Sequence, residues 1–228
     1  TGHLALGATS FAMSVASAVS TVRMTEVSGI CFPAYFVCLP STLSHRLSLD
    51  TSSVTTMKSM FSGANAFNSL ISFNTSRVTD MESTFEGAVA FNQPLSFDTG
   101  SVTTLHATFR GATAFDQPLI WDVESVTSMF RTFFGASSFN GESVRVHAPD
   151  TRASASRSVR HQGALLPAGD WNVSNVLDFG SMFTYAVALD QDLSSWDVSA
   201  ATSMSAMFNF TTLAPCFRRG IYLQFSTN

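Results

Sequence analysis

The sequence is poor in charge, and above all in lysine. Of its 228 residues 12% are charged, the formal net charge is -4, and Lys58 is the single lysine. Nucleic acids and anionic membranes are held by clustered Lys and Arg, so we expect no nucleic-acid partner. Because 45% of the residues are hydrophobic, the chain can still bury a core. Its surface must then be covered largely by uncharged polar side chains.

Cysteines and long apolar runs are also scarce. Cys31, Cys38 and Cys216 show no metal-ligand spacing, and a disulfide framework is not predicted. Cys31 and Cys38 are either bonded, if the chain is secreted, or small buried apolar side chains, which we favour. Residues 4–22 are too interrupted by Ser, Thr and Gly for a membrane span. The chain begins with Thr1 instead of Met, which indicates a fragment, so we expect any membrane association to depend on a segment outside this sequence.

What the sequence does contain is a phrase that returns every 24 residues. It reads Val-Thr-x-Met (Leu in one copy), then Phe, Gly-Ala and Phe-Asn/Asp. A period of this size is typical of stacked supersecondary units, none of which buries its apolar face alone. The first valine of the phrase, or the alanine that replaces it, is Val54, Val78, Val102, Val126, Val176 and Ala201.

Each repeat predicts one short helix. Val54, Met57, Phe61 and Ala64 have the spacing of one helical face. Thr56, Asp80, Thr104, Ser128, Asp178 and Ser203 share one repeat position, and all six can cap a helix N-terminus. Glycines such as Gly63 follow at the position where a left-handed residue ends a helix. We therefore expect a helix of about two turns in each repeat.

Each repeat also predicts one short strand. Leu95, Phe97 and Thr99 alternate with Ser96 and Asp98, and residues 47–51 and 71–75 alternate in the same way. The predicted fold class is therefore an α/β repeat solenoid of about six coils of 24 to 25 residues. Parallel strands would line one side of this solenoid and short helices the other.

The composition changes along the chain predict its organisation. Residues 1–24 are irregular, residues 25–213 form a single solenoid domain that starts with a degenerate coil, and residues 214–228 are a tail or cap. Residues 142–169 hold four of the twelve basic residues and no aromatic residue, so they cannot fill a coil. We interpret them as a basic, disordered insertion. A basic docking element and a retained intron are the alternatives.

The residues Trp121–Met129, Trp171–Val176 and Asp190–Val198 carry a family resemblance. They resemble the BspA-like leucine-rich-repeat surface proteins, specifically their branch of roughly 25-residue repeats found in mycoplasma lipoproteins and many microbial eukaryotes. The resemblance covers about residues 48–213 without the insertion. It implies a leucine-rich-repeat-like solenoid that is secreted or displayed at a cell surface and serves adhesion or recognition. The sixth repeat departs from the pattern, because Phe210-Thr211 replaces Gly-Ala.

The polar residue after each strand aromatic is the candidate ligand-binding position. Stacked coils would bring these residues into a row about 4.8 Å apart. Asx turns explain the row without a ligand, and we favour that interpretation. Calcium is the alternative where two aspartates are neighbours, but one carboxylate per coil is too few ligands, so we predict no metal. The candidate face consists of Asp50, Asn74, Asp98, Asp122, Asn172 and Asp197, with Ser48, Ser72 and Ser96 on the strands.

The repeat itself offers no catalytic constellation. The five histidines fall at unrelated repeat positions, and no glycine loop precedes a helix. We predict a non-enzymatic, extracellular or surface-displayed scaffold without a cofactor, which binds a protein or a glycan through its strand face. Without residues 142–169 the counts are 8 basic and 14 acidic residues, which favours a basic or polyhydroxylated partner.

Two other functions fit the repeat pattern. A structural spacer with no specific ligand is the first alternative. The second is an ice-binding surface, because threonines recur at one repeat position and regular threonine arrays on flat faces can bind ice. These threonines are Thr55, Thr79, Thr103, Thr127 and Thr202.

Overall fold

The repeats form a stack of coils in which each coil contacts the next. The computed structural model describes residues 51–140 and 171–213, and the backbone of three strands upstream of them. Coils 1, 2 and 3 comprise residues 51–74, 75–98 and 99–122. Coil 4 runs from 123 to 140 and ends at 171–172, coil 5 comprises 173–197, and coil 6 comprises 198–213. One residue per coil makes a parallel bridge to the next coil, along the column Thr56, Asp80, Thr104, Ser128, Asp178 and Ser203.

The predicted α/β solenoid is wrong, because the described residues contain no helix. Consecutive tight turns occupy the place of each predicted helix. In coil 1, the N–H groups of Met60 and Ala64 bond the carbonyls three residues back at 3.0 and 3.1 Å, whereas the Phe61 N–H leaves the coil and donates to Thr84 of the next one at 2.8 Å. The predicted cap Thr56 accepts the Lys58 N–H instead, as part of a turn.

Left-handed residues prevent the helix. Ser59 (φ +55°) and Gly63 (φ +71°) both lie in the left-handed region, four residues apart. A continuous α-helix excludes such residues, since each one redirects the chain. The apolar spacing of three to four residues that suggested a helix is equally produced by successive turns of this kind.

Of the predicted parallel strands, the structure describes only one pair. β3 (Leu47–Ser48) and β4 (Ile71–Ser72) pair in parallel over two residues. Leu95, Phe97 and Thr99 are buried and their neighbours exposed, as the alternation predicts, but they form no strand. Here side chains replace the backbone ladder, because the hydroxyl of Thr75 donates to the Asp98 carbonyl at 2.9 Å.

Upstream, β1 (Gly29–Phe32) and β2 (Val37–Pro40) form an antiparallel pair in which Cys31 lies opposite Cys38 in the register. The pair falls in the region where a degenerate coil is predicted. No helix in the described residues is both long and apolar enough to cross a membrane.

Columns of aromatic rings fill the interior of the stack. Phe61 and Phe85 lie 5.2 Å apart between ring centroids with an interplanar angle of 3°, and the same column continues through every coil. Parallel rings at this separation are offset-stacked, the arrangement that ring quadrupoles favour. The prediction that these phenylalanines are core residues is confirmed, since all six are at most 2% exposed. The column consists of Phe61, Phe85, Phe109, Phe133, Phe183 and Phe208.

Coils 4 and 5 are direct neighbours although residues 141–170, which the structure does not describe, fall within coil 4. Met129 donates its N–H to the Asp178 carbonyl at 2.9 Å, and the Phe133 and Phe183 rings stack at 5.6 Å. These contacts match those between coils 3 and 4. The predicted insertion, residues 142–169, lies outside the described residues and stays a prediction, as do the predicted segments 1–24 and 214–228.

The left-handed glycines give a direct stability test. A Cβ added to Gly111 (φ +69°) would lie 3.8 Å from the Gly87 Cα, an ordinary contact, so only the backbone conformation opposes Gly111→Ala. We expect this change to lower the free energy of unfolding by about 1 kcal/mol. Urea denaturation measures the effect.

Gly100→Ala is the matched control, because Gly100 does not have a left-handed φ and its added Cβ would meet side-chain atoms no closer than 3.5 Å. This change should be neutral or slightly stabilising. Equal losses in both variants would show that the left-handed conformation is not what Gly111 supplies.

Candidate functional site

The predicted polar row exists, and its members that lie in the described residues are exposed. We call Asn74, Asp98, Asp122, Asn172 and Asp197 the Asx row. Each closes an Asx turn, in which its side-chain Oδ1 accepts the backbone N–H two residues later. The distances are 3.2 Å for Asn74 and Asp98, 3.0 Å for Asp122 and Asp197, and 3.3 Å for Asn172. The favoured interpretation of the row as turn chemistry is therefore confirmed by the geometry.

The strand serines accompany the row only in part. Ser72 and Ser96 are exposed, two residues before Asn74 and Asp98 respectively. Ser48 pairs with Ser72 in the backbone register, whereas Asp50 lies outside the described residues. The structure thus brings together eight of the nine predicted positions along one side of the stack, with Ser48 placed by its backbone alone.

The two neighbouring aspartates do not make a metal site. Asp122 Oδ2 and Asp98 Oδ1 both lie within 4 Å of the point where a Cβ on Gly100 would stand. Within residues 51–140 and 171–213, however, no group of three or more His, Cys, Asp or Glu side chains is placed to hold a metal ion. Calcium normally takes six or more oxygen ligands, so this pair alone is insufficient.

Hydrogen bonds from neighbouring serines lower the pKa of two aspartate carboxyls. The Ser199 hydroxyl and N–H both donate to Asp197, and these bonds hold the pKa of its carboxyl below the ordinary 3.8. The same pair of bonds from Ser194 lowers the pKa of Asp192. Both carboxylates are therefore ionised at neutral pH and already have hydrogen-bond partners on the protein.

The threonine column is also engaged internally. Thr79 donates its hydroxyl to the Thr55 carbonyl at 3.2 Å, and Thr103 donates to the Thr79 carbonyl at 3.0 Å. Thr127 and Thr202 donate in the same way to the preceding coil. Leu177 interrupts the column and is exposed. These hydroxyl groups already donate to backbone carbonyls of the stack. The geometry therefore gives the ice-binding hypothesis no support.

Two exposed aromatic residues lie outside the predicted candidate face. At the position of Gly63, Gly87, Gly111 and Gly135, coils 5 and 6 carry Tyr185 and Phe210, which are 46% and 66% exposed. The sequence holds a signal for them, since Phe210 departs from the Gly-Ala pattern. That departure marks a surface feature of the stack and not only an irregular repeat.

Comparison with known families agrees with the repeat. A family described as "Mycoplasma protein of unknown function, DUF285" matches residues 40–146 and 163–215, together more than half of the chain. The chain belongs to this family. The mycoplasma-type repeat that the resemblance implied is thus confirmed at the level of the DUF285 family. Searches of curated proteins and of solved structures found no match to the chain.

The Asx row predicts an asymmetry between two substitutions. Asp122→Ala removes the acceptor of the Glu124 N–H, and we expect a loss of about 1 kcal/mol in the free energy of unfolding. Asp122→Asn should lose less than about 0.5 kcal/mol, because Asn74 and Asn172 already close the same turn. Urea titrations of both variants measure the difference. Equal losses for the two variants would mean that the charge, which both remove, matters and the turn does not.

Ser199→Ala predicts a pKa change at one residue. Loss of the hydroxyl bond should raise the pKa of Asp197 towards 3.8. The lowered pKa means that the ionised carboxylate stabilises the fold above pH 3.8 and that this contribution is lost as pH falls through the folded-state value. An NMR titration of the Asp197 carboxyl carbon measures the shift. Asp192 is the internal control, and an equal shift there would exclude a local effect.

Proposed function

We propose that this DUF285-family protein is a non-enzymatic recognition or adhesion scaffold, secreted or displayed at a cell surface in the manner of the BspA-like surface proteins. It binds a protein or a glycan through the exposed side that carries the Asx row, without a cofactor. The excess of acidic over basic residues outside 142–169 favours a basic or polyhydroxylated partner.

One observation carries the proposal: the repeated residues are buried or bonded in the stack, whereas the exposed residues differ between coils. Phe61, Phe85 and Phe109 are fully buried. At the exposed or half-buried position three residues before this phenylalanine, coils 1 to 3 instead carry Lys58, Glu82 and His106. A scaffold of constant interior and variable exterior is the usual design of repeat proteins that recognise partners over an extended surface.

The structural spacer remains the alternative function. A spacer needs the same interior but no specific exterior, and the closed turns of the Asx row are compatible with it. The two functions differ only in whether a defined ligand binds the whole chain, so binding decides between them.

The deciding experiment uses an array of immobilised glycans and intact epithelial cells as probes for the full-length chain. The proposal expects saturable binding to a probe that weakens at least fivefold in Asp98→Asn/Asp122→Asn, which removes two negative charges but keeps the turns. Folding of the variant is checked by its urea midpoint.

Ser101→Ala is the matched control on an exposed residue of the same turn. It should leave binding within twofold of the unchanged chain. Absence of binding to either probe would favour the spacer. Binding that is indifferent to the double variant would assign recognition to another surface.

A further inference from the structure

Coils 4 to 6 carry neighbouring aromatic side chains on their turn side, of which Tyr185 and Phe210 are exposed and Phe130 and Phe134 half-buried. We call Phe130, Arg131, Phe134, Tyr185 and Phe210 the aromatic patch. The Tyr185 and Phe210 rings stack at 4.5 Å with an interplanar angle of 3°, and the edge of Phe134 meets Tyr185 at 5.7 Å. Exposed aromatic groups of this extent on an otherwise polar surface mark interaction sites.

The backbone under the patch is strained in a way that the fold does not require. Tyr185 and Phe210 have φ values of +62° and +57°, where coils 1 to 4 use glycine. At this position the Tyr185 N–H donates to the Asn209 carbonyl at 3.0 Å. The Gly135 N–H makes the same bond to the Thr184 carbonyl, so an aromatic residue is not needed for it. Bulky residues in this conformation are outliers, and such strain accumulates at functional sites.

Neither aromatic residue substitutes for a missing core contact. The interior of coils 5 and 6 is filled by Phe183 and Phe208, whose rings stack at 5.9 Å and are at most 2% exposed. Tyr185 and Phe210 lie outside that column. Their rings are therefore held at the surface, against the conformational preference of their own backbone.

A guanidinium group lies within the patch. The Arg131 guanidinium carbon stands 4.8 Å from the Phe130 ring centroid and 5.6 Å from that of Phe134. Within the described part of the chain Arg131 forms no ion pair, whereas the neighbouring Arg110 is paired with Glu86. Asp178 of coil 5 lies beside Phe130, since its Oδ1 and the Phe130 ring stand 3.0 and 2.9 Å from the point where a Cβ on Gly180 would lie, but this oxygen accepts the Gly180 N–H. Arg131 is therefore the cation of the patch that no ion pair within the described residues occupies.

These features favour a protein partner over a sugar. Aromatic residues and arginine are enriched at the centre of protein interfaces. A pyranose ring stacks on an open aromatic face, but here Arg131 lies over Phe130 and Phe134, and Tyr185 and Phe210 each cover a face of the other. The unpaired guanidinium supplies two parallel donors that suit a carboxylate.

We propose that the aromatic patch is the docking surface for a protein segment that presents a carboxylate beside an aromatic or aliphatic side chain. The carboxylate pairs with Arg131, and the apolar side chain packs against Tyr185 and Phe210. The proposal adds a second surface, on the turn side, with its own partner chemistry to the recognition function proposed above, and it rests on that function.

The test selects displayed twelve-residue random peptides on the full-length chain. Enriched peptides are expected to share an Asp or Glu next to an apolar side chain. A synthetic peptide of the enriched sequence should lose at least tenfold in affinity, measured by fluorescence polarisation, against Arg131→Gln and against Tyr185→Gly/Phe210→Gly. The double variant restores the glycine that coils 1 to 4 carry, so the fold should be kept. If it fails to fold, Tyr185→Asn/Phe210→Asn replaces it.

Ser101→Ala, on an exposed residue outside the patch, is the control and should change the peptide's affinity by less than twofold. The proposal is supported if the patch variants lose affinity for the peptide and the control variant does not. Equal affinity in all variants, or no enriched peptide, overturns it. If the peptide binds all variants equally while cell or glycan binding still weakens in Asp98→Asn/Asp122→Asn, the patch proposal fails while the recognition function stands; if nothing binds the unchanged chain in either assay, both fail.

Three further outcomes would assign the patch to another occupant and overturn the proposal. Sedimentation that shows a dimer dispersed by Tyr185→Gly/Phe210→Gly would identify a second copy of the chain. Competition by a synthetic peptide of residues 214–228 would identify the chain's own C-terminal segment. Glycan-array binding that is lost in the patch variants would identify a carbohydrate.

Discussion

The whole stack depends on backbone N–H groups that leave one coil and bond the next. In each of coils 1 to 5, four alternate N–H groups donate to the following coil; in coil 1 they belong to Met57, Ser59, Phe61 and Gly63. The second and the fourth belong to left-handed residues, which turn the chain so that donors alternate between the coil itself and its neighbour. Without these turns the same residues would close a helix on themselves, and the coils would lose their connection.

This constraint explains what could be predicted from the sequence. Burial depends on which residues face the interior, and the 24-residue period identified Phe61, Met57 and their equivalents correctly. The turn chemistry of Asp98 and Asp122 was also predictable, since short polar side chains bond the backbone locally. The helix was not predictable in this way, because helices and successive turns share an apolar period, and only one of the two left-handed positions in coils 1 to 4 carries a glycine, such as Gly63. Ser59 and Arg131 give no such signal.

The same constraint separates the two exposed surfaces. On the Asx side, the side-chain Oδ1 of Asn74 and that of Asp98 each accept a backbone N–H of their own turn. A ligand there would therefore meet oxygens that are already hydrogen-bonded. On the turn side, four backbone N–H groups per coil bond the next coil, aided by buried hydroxyls such as that of Thr132. Phe130 and Arg131 contribute backbone atoms to these bonds but, within the described residues, no side-chain hydrogen bond, so their side chains can vary without loss of the bonds that connect the coils.

The second left-handed position of each coil shows how far that freedom extends. Glycine is the residue with the least strain there, and four coils use it, yet Tyr185 donates the same backbone bond as Gly135 does. The stack tolerates a strain of about 1 to 2 kcal/mol at such a site because many parallel bonds and the buried ring column hold each coil in place. Tyr185 and Phe210 are strained and exposed, and the interior of the stack does not need them. Their side chains therefore have no role within the fold. For that reason the irregular coils 5 and 6, more than the regular ones, point to a binding partner.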